Sequence, residues 1–284
     1  MLHCAVKLIP RKITRREFLG LGALSGLGYM RFGEPHWLGT GRHAVPLEGG
    51  GAEPVTLLQL ADFHASEVVS LDFIERAVRL GLEAQPDLIC LTGDFITRLW
   101  EDWERYAKIL AQLARRAPTF ACLGNHDGGV WAGGRGGYAS TEEVRELLAQ
   151  AGVVLLHNAS RAVTLRGRTF HLVGVGDFWA QQMDAPRAFA GVPAGAPTIL
   201  LSHNPDTKGA LAAFPWKLML SGHTHGGQLD LPFIGTPFAP VADGRFVRGL
   251  HRWEERWIHI TKGVGSLHGL RFNCPPEVSV LTLT

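Results

Sequence analysis

Residues able to hold a metal recur in this chain at the ends of apolar runs. Ser221-Gly222-His223-Thr224-His225-Gly226-Gly227-Gln228 follows the apolar Leu218-Met219-Leu220. Two histidines two residues apart fall on one side of an extended chain. The flanking glycines let the backbone turn sharply and let other groups approach. Paired imidazoles suit borderline divalent ions such as Zn, Mn or Fe. A lone His-x-His is a weak signal, but donor residues also appear at Asp62 and His64, at Asp94, at Asn125 and His126, and at His203. Singly, each has an ordinary explanation: an Asp is a common turn or capping residue, and a His is often a hydrogen-bonded structural group. Five unrelated turns would not all be expected to carry oxygen or nitrogen ligands, so the constellation points to a metal site.

The elements that must position these residues alternate between strand and helix. Val55–Leu60 reads as an apolar strand ending in Ala61-Asp62-Phe63-His64. Ser70 can cap a helix to about residue 85, with Phe73, Ile74, Ala77, Val78 and Leu82 on its apolar side. A strand over 87–91 ends in Thr92-Gly93-Asp94, a helix follows over 101–116, and a strand over 119–123 ends in Gly124-Asn125-His126-Asp127. Ser140 and Glu143 predict a capping box for a helix to about residue 151. Further strands are expected over 153–156, over 162–165 and 169–173 as a hairpin, and over Thr198–Leu201 and 217–220. The last are expected near 245–250, 256–261 and 278–283. Continuous apolar strands separated by amphipathic helices imply a mainly parallel sheet covered on both faces. In such sheets ligands bind at the carboxyl ends of strands, where all five donor segments fall.

These ordered motifs, Asp62-x-His64, Gly93-Asp94, Gly124-Asn125-His126-Asp127, His203 and Gly222-His223-x-His225, resemble those of the calcineurin-like metallophosphoesterases. The resemblance spans residues 55–284, with no core motif missing. Within that family the chain is most similar to the YaeI-type phosphodiesterases and the LpxG-type UDP-2,3-diacylglucosamine hydrolases. Gly28-Tyr29-Met30, Thr119-Phe120-Ala121-Cys122, His203-Asn204-Pro205-Asp206 and Gly263-Val264-Gly265-Ser266-Leu267 carry that closer likeness. The resemblance implies an α/β fold, a four-layer α/β/β/α sandwich, holding two divalent metal ions. Asp62, His64 and His225 would hold one ion, Asn125, His203 and His223 the other, and Asp94 would bridge them. Two cations about 3.5–4 Å apart need such a shared carboxylate to offset their repulsion. A hydroxide between the ions would attack phosphorus in line, while His126 acts as acid or charge stabiliser and Asp127 orients it. Mixed N/O ligation favours Mn, Fe or Zn over Mg or Ca, and among these manganese is expected.

The motifs do not choose among monoester, diester and pyrophosphate. The resemblance favours a phosphodiester or pyrophosphate bond in a small-molecule or lipid-linked substrate such as UDP-2,3-diacylglucosamine. An exported general phosphodiesterase or phosphatase of unknown substrate is the second reading, and a non-catalytic metal-binding scaffold is disfavoured because no ligand is missing. The loop 128–138 holds six glycines with Trp131 and Arg135 but lacks the Gly-Lys-Ser/Thr ending of a phosphate-binding P-loop. With Phe178 and Trp179 it can form a lid over an apolar substrate portion, or be a surface loop beside core aromatics. His268 and Arg271 are candidates to reach a distal phosphate, though an arginine there can equally form a surface ion pair.

The chain of 284 residues suits one large domain with appendages. A formal charge of +2 without a basic stripe gives no reason to expect nucleic acid. Cys4, Cys90, Cys122 and Cys274 show no CxxC spacing and indicate no disulfide framework. Residues 1–30 read as a targeting segment: Lys7, Arg11, Lys12, Arg15 and Arg16 precede a mildly apolar run, and Thr14-Arg15-Arg16-Glu17-Phe18-Leu19 resembles a twin-arginine signal. The alternative is an uncleaved amphipathic anchor on the cytoplasmic membrane face. Export would conflict with a nucleotide-linked lipid substrate made in the cytoplasm; the anchor would not. Residues 31–54 read as a linker ending in Glu48-Gly49-Gly50-Gly51, and 55–284 as the catalytic domain.

Overall fold

In the computed structural model of the chain, residues 13–47 and 53–284 are described. Lys7, Arg11 and Lys12 of the expected signal, Cys4, and the glycines at the end of the expected linker lie outside them. Helix α1 (Arg15–Gly28) opens with Thr14 and Glu17 in a reciprocal capping box. Phe18, Leu19, Leu21, Leu24 and Leu27 along it are exposed. No helix among the described residues is long and apolar enough to cross a membrane.

The segment expected as a linker supplies a strand. β1 (Gly39–Val45) pairs in parallel with β12 (Glu277–Leu283), which itself runs antiparallel to β2 (Val55–Leu60). Just before β1, Glu34 is buried and its carboxylate accepts from the Asn273 and Cys274 amides. Parallel pairing then continues through β3 (Leu88–Thr92), β4 (Thr119–Cys122) and β5 (Val154–Leu155). The first sheet thus runs β1-β12-β2-β3-β4-β5. Parallel neighbours need crossovers, and helices α2 (Leu71–Leu82), α3 (Trp103–Arg116) and α5 (Glu142–Gln150) provide three of them. The Gly-rich loop carries the one-turn α4 (Val130–Gly133). Thr141, rather than Ser140, occupies the N-cap position of α5 and makes no side-chain capping bond there; the Ser140 hydroxyl accepts from Glu142 N instead, so the expected capping box does not form.

The second sheet contains β6 (Ala159–Leu165), β7 (Arg168–Gly174), β8 (Thr198–Leu201), β9 (Leu218–Ser221), β10 (Gly249–Trp253) and β11 (Arg256–Ile260). Its order is β10-β11-β9-β8-β7-β6. β10 begins later than its sequence suggested, because residues 244–246 form a 3₁₀ turn capped by Asp243. Three separate apolar clusters define the layers. One lies between α2, α3, α5 and the first sheet, with Leu58, Leu60, Ile74, Leu110 and Leu147. A second, with Leu57, Cys90, Cys122, Leu201 and Leu220, fills the space between the sheets. A third packs Val173, Leu200, Met219 and Ile258 under Phe189, Leu211 and Trp216, on or beside the short helices α6 (Ala185–Ala188) and α7 (Thr207–Ala210). Alternation within each strand sends one set of side chains to each cluster. The result is the expected four-layer α/β/β/α sandwich.

Candidate metal centre

The carboxyl ends of β2, β3, β4, β8 and β9 converge, so residues from opposite sheets meet. Asp62, His64, Asp94, His223 and His225 all adopt positive φ, between 49° and 69°. Such backbone is unfavourable for non-glycine residues and collects where a constellation is over-determined by its surroundings. Glycine makes the convergence possible: a Cβ on Gly124 would lie 2.2 Å from Asp94 Oδ1.

Asp62, His64, Asp94, Asn125, His203, His223 and His225 are all buried. One oxygen of Asp94, Oδ2, lies 3.3 Å from His64 Nε2 and 3.2 Å from His203 Nε2, and so faces both groups of donors. His64 Nε2 is 3.0 Å from His225 Nε2, which is 3.6 Å from Asp62 Oδ1. On the other side, His223 Nδ1 is 3.2 Å from His203 Nε2. The far nitrogens fix two tautomers. His203 Nδ1 donates to the Thr92 carbonyl at 2.8 Å, and His64 Nδ1 donates to Thr97 Oγ1 at 3.3 Å, since that hydroxyl itself donates to the His64 carbonyl. In the neutral rings both Nε2 lone pairs therefore point inward. Asp62 Oδ2, Asn125 Oδ1, His223 Nε2 and His225 Nδ1 are buried without hydrogen-bond partners among the described residues. Together with Asp94 and the inward nitrogens of His64 and His203, these residues make a set of two carboxylates, an amide and four imidazoles that fits a pair of borderline divalent cations.

The electrostatics agree. Burial pushes His64 down to about 4 and His223 to about 3, and burial with repulsion from His64 also holds His225 well below the ordinary imidazole value. These rings are neutral ligands at neutral pH. His203 goes the other way: burial alone would lower it, but Asp94, Asp62 and Asp177 together raise it well above the ordinary imidazole value. Burial alone would raise Asp94, yet His203 and His126 hold it well below the carboxylate range. The carboxylates demand a positive charge at this point, which a divalent cation would supply in place of the His203 proton.

His126 is half-buried at the edge of this cluster. Its amide donates to Asp94 Oδ1 at 2.9 Å and its Nδ1 donates to the Thr97 carbonyl at 2.7 Å, leaving Nε2 free. Asp127 does not orient it. The Asp127 carboxylate turns inward and accepts from the amides of Asp94, Phe95 and Gly124 at 2.6–2.9 Å, so it shapes the turn that carries Asp94. Thr97, which touches both His64 and His126, carries no sequence signal for that role. Asp177, buried after β7, was also missed as a site residue: its Oδ1 accepts from Ala180 N and braces the turn bearing Trp179.

A cleft of about 480 Å³ opens over the cluster. Its floor includes Asp94, Asn125, His126, His223 and His225, and its walls include Trp131, Trp179, Leu229, Phe238, Leu267 and Leu270. Trp131 packs edge-on against His126 at 4.7 Å and Trp179 against His223 at 4.2 Å. His268 is exposed and lines the cleft, as expected. Arg135 does not line it: its guanidinium stacks on Trp131 at 4.1 Å and donates to the Trp131 carbonyl. Arg271 cannot reach a substrate either. It is fully buried and donates to the carbonyls of Lys262, Gly265 and Cys274 at 2.5–2.9 Å, pinning the loop behind His225.

Known proteins resemble this chain along most of its length. The profile of the calcineurin-like phosphoesterases matches residues 55–227, more than half of the chain. Phosphodiesterase YaeI of Escherichia coli (strain K12) is 44% identical over 277 residues, covering 95% of this chain and 99% of that protein. The uncharacterized metallophosphoesterase YkuE of Bacillus subtilis (strain 168) is 29% identical, covering 96% and 98%. UDP-2,3-diacylglucosamine pyrophosphatase LpxG of Chlamydia trachomatis serovar D is 29% identical, covering 79% and 82%. A profile across the strands that bear the donors, and a relative alike along almost its whole length, place this chain in the calcineurin-like phosphoesterase family as a metal-dependent phosphoesterase.

Proposed function

We propose that the protein hydrolyses a phosphodiester or pyrophosphate bond in a lipid-linked nucleotide of the UDP-2,3-diacylglucosamine type. The observation that carries this reading is the join of a charged floor to an apolar wall: a phosphate seated over Asp94, Asn125 and His223 would leave the rest of its molecule against Trp131, Trp179, Phe238 and Leu270. The name of the LpxG relative supports the substrate class.

In this reading Asp62, His64 and His225 would hold one ion, Asn125, His203 and His223 would hold the other, and Asp94 would serve both. The mixed N/O donor set favours Mn, Fe or Zn over Mg or Ca, and Mn is taken as the working ion. When bound, the ions would neutralise phosphate charge and make a water nucleophilic near neutral pH. The chain's own part is positional and protonic. Thr92 and Thr97 fix the rings so that ligating nitrogens face inward, and His126, held through Nδ1, presents Nε2 to the leaving oxygen as proton donor. The two tryptophans exclude water from the reacting phosphate.

The apolar side chains of α1 support attachment to a membrane through residues 1–30. Fractionation of the tagged full chain separates the two modes: a shortened periplasmic form means twin-arginine export, and a full-length membrane-bound form facing the cytoplasm means an anchor.

The deciding assay uses the full chain, because residues 39–45 form β1 and a start at residue 53 would remove a strand. Hydrolysis with Mn²⁺ is compared on a generic aryl phosphodiester and on UDP-2,3-diacylglucosamine, with Asp94→Asn as the blank. Asp94-dependent turnover of the lipid nucleotide is expected. Turnover of the aryl diester alone would replace the lipid reading with a general phosphodiesterase.

A further inference from the structure

A second cluster of metal-type donors lies between the sheets at one edge of the sandwich. His43 from β1, Glu277 from β12 and His259 from β11 each offer one ligand atom, and these atoms lie within 4.8 Å of one another. None of the three lines the catalytic cleft.

The neighbours of His259 fix its tautomer. The Gln59 amide nitrogen donates to Thr92 Oγ1 at 3.0 Å and to the Ser221 carbonyl at 2.9 Å. Its Oε1 therefore only accepts, and His259 Nδ1, 2.7 Å away, must donate to it. That leaves a lone pair on Nε2, which is buried without a hydrogen-bond partner among the described residues, in a residue with no solvent exposure. Burial pushes this imidazole down to about 3, with His43 and His251 adding to the effect, so the ring is neutral and able to ligate. His43 is half-buried and likewise lowered by burial, against the pull of Glu277. Glu277 is held from behind. Ser279 Oγ donates to its Oε1 at 2.8 Å and Lys262 Nζ lies 2.8 Å from its Oε2. Each carboxylate oxygen has a second acceptor site, so these partners orient the group without exhausting it.

We propose that His43, His259 and Glu277 form a second divalent-metal site of zinc type, distinct from the catalytic centre, that staples the edge strand β1 to both sheets. Two imidazoles and one carboxylate are a zinc donor set, with the fourth position open to a water from the half-exposed side of His43. The nearby Lys262 ammonium disfavours a second hard cation held by charge alone, which selects an ion that bonds imidazole nitrogen. The pinning of Glu277 and the Gln59 bond to His259 are the outer contacts that such ligands require.

The test counts metal. The full chain is stripped with a chelator, reloaded with Zn²⁺, desalted and analysed by atomic emission, beside His43→Ala and Glu277→Gln. The wild type is expected to retain one more zinc per chain than either variant. The variants should keep hydrolysis of an aryl phosphodiester, which shows a folded chain with its catalytic ions in place. The thermal midpoint of the wild type should rise further with zinc than theirs. Equal zinc in the wild type and in both active variants would overturn the site.

Discussion

Gly124→Ala tests the proposed centre through geometry alone. The Gly124 backbone lies outside the positive-φ region, so alanine costs nothing in conformation there. The cost is space: the new Cβ would sit 2.2 Å from Asp94 Oδ1 and 2.7 Å from Asp94 N, where ordinary contact begins at 3.4 Å. The carboxylate must retreat by about 1 Å, and a displacement of that size in a catalytic constellation costs on the order of 10²-fold in rate. Asp94 Oδ2 would then no longer face both His64 and His203, so metal retention should fall as well. Overpacking of this kind destabilises by about 1–3 kcal/mol, too little to unfold a sound domain. Three measurements on one preparation separate these effects: metal per chain, kcat/KM on an aryl phosphodiester with Mn²⁺, and the urea midpoint. Gly209→Ala is the control, since nothing lies within 4 Å of a Cβ there. A Gly124→Ala protein that keeps its metal and matches the control in turnover would refute the assignment of Asp94 to both ions.

Arg271→Ala should lower stability by ~3 kcal/mol or more, because it strips donors from several buried carbonyls, and should leave KM unchanged. A raised KM at unchanged stability would restore the substrate-contact role. Asp127→Asn should cost about 1–3 kcal/mol by turning an amide group toward backbone N–H donors, with the shape of the pH–rate profile preserved. A displaced limb in that profile would mean that Asp127 acts on His126 after all. In chelator-treated protein, His259 is depressed from 6.5 to about 3 by burial, so the folded state binds fewer protons than the unfolded state. The stability it supports is therefore present above pH 6.5 and falls as pH drops toward 3, by on the order of 1–2 kcal/mol between pH 6.5 and 5. Chemical denaturation across that range should show a shallower acid limb for His259→Gln, and parallel curves for the two proteins would contradict it.

The strands that bear the donors were legible because each is a short, mostly apolar and buried run that ends abruptly in polar residues. β3, β4, β8 and β9 have that form throughout, and β2 departs from it only at Thr56 and Gln59. β1 was not legible: Gly-Thr-Gly-Arg-His-Ala-Val alternates weakly, and what makes it a strand is β12, its partner far along the chain. Asp127 misled by adjacency. It follows His126 directly, but in the turn the two side chains diverge, and its acceptors' partners come from the β3 end. Arg271 misled by type, since a charged residue after a glycine-rich stretch reads as exposed. Its burial depends on carbonyls that only the folded loop brings together. The aromatic cleft walls were half legible: Trp131 and Trp179 stood out by composition, whereas Leu229, Phe238 and Leu270 belong to separate loops that meet only in space.

The placement of β12 between β1 and β2 also sets a timetable for synthesis. Gln59 and Ser279 pair across about 220 residues. At about 5–20 residues per second on the ribosome, β2 waits on the order of 10–40 s with that edge unpaired. β1 waits as long, since β12 is its neighbour in the sheet. A nascent chain with an open apolar edge is a substrate for chaperones and a hazard for wrong pairing. The donors from β2, β3 and β4 can therefore assemble early, but Asp62 gains His225 and the first sheet gains its closing strand only late, which ties metal capture to the end of folding rather than to its start.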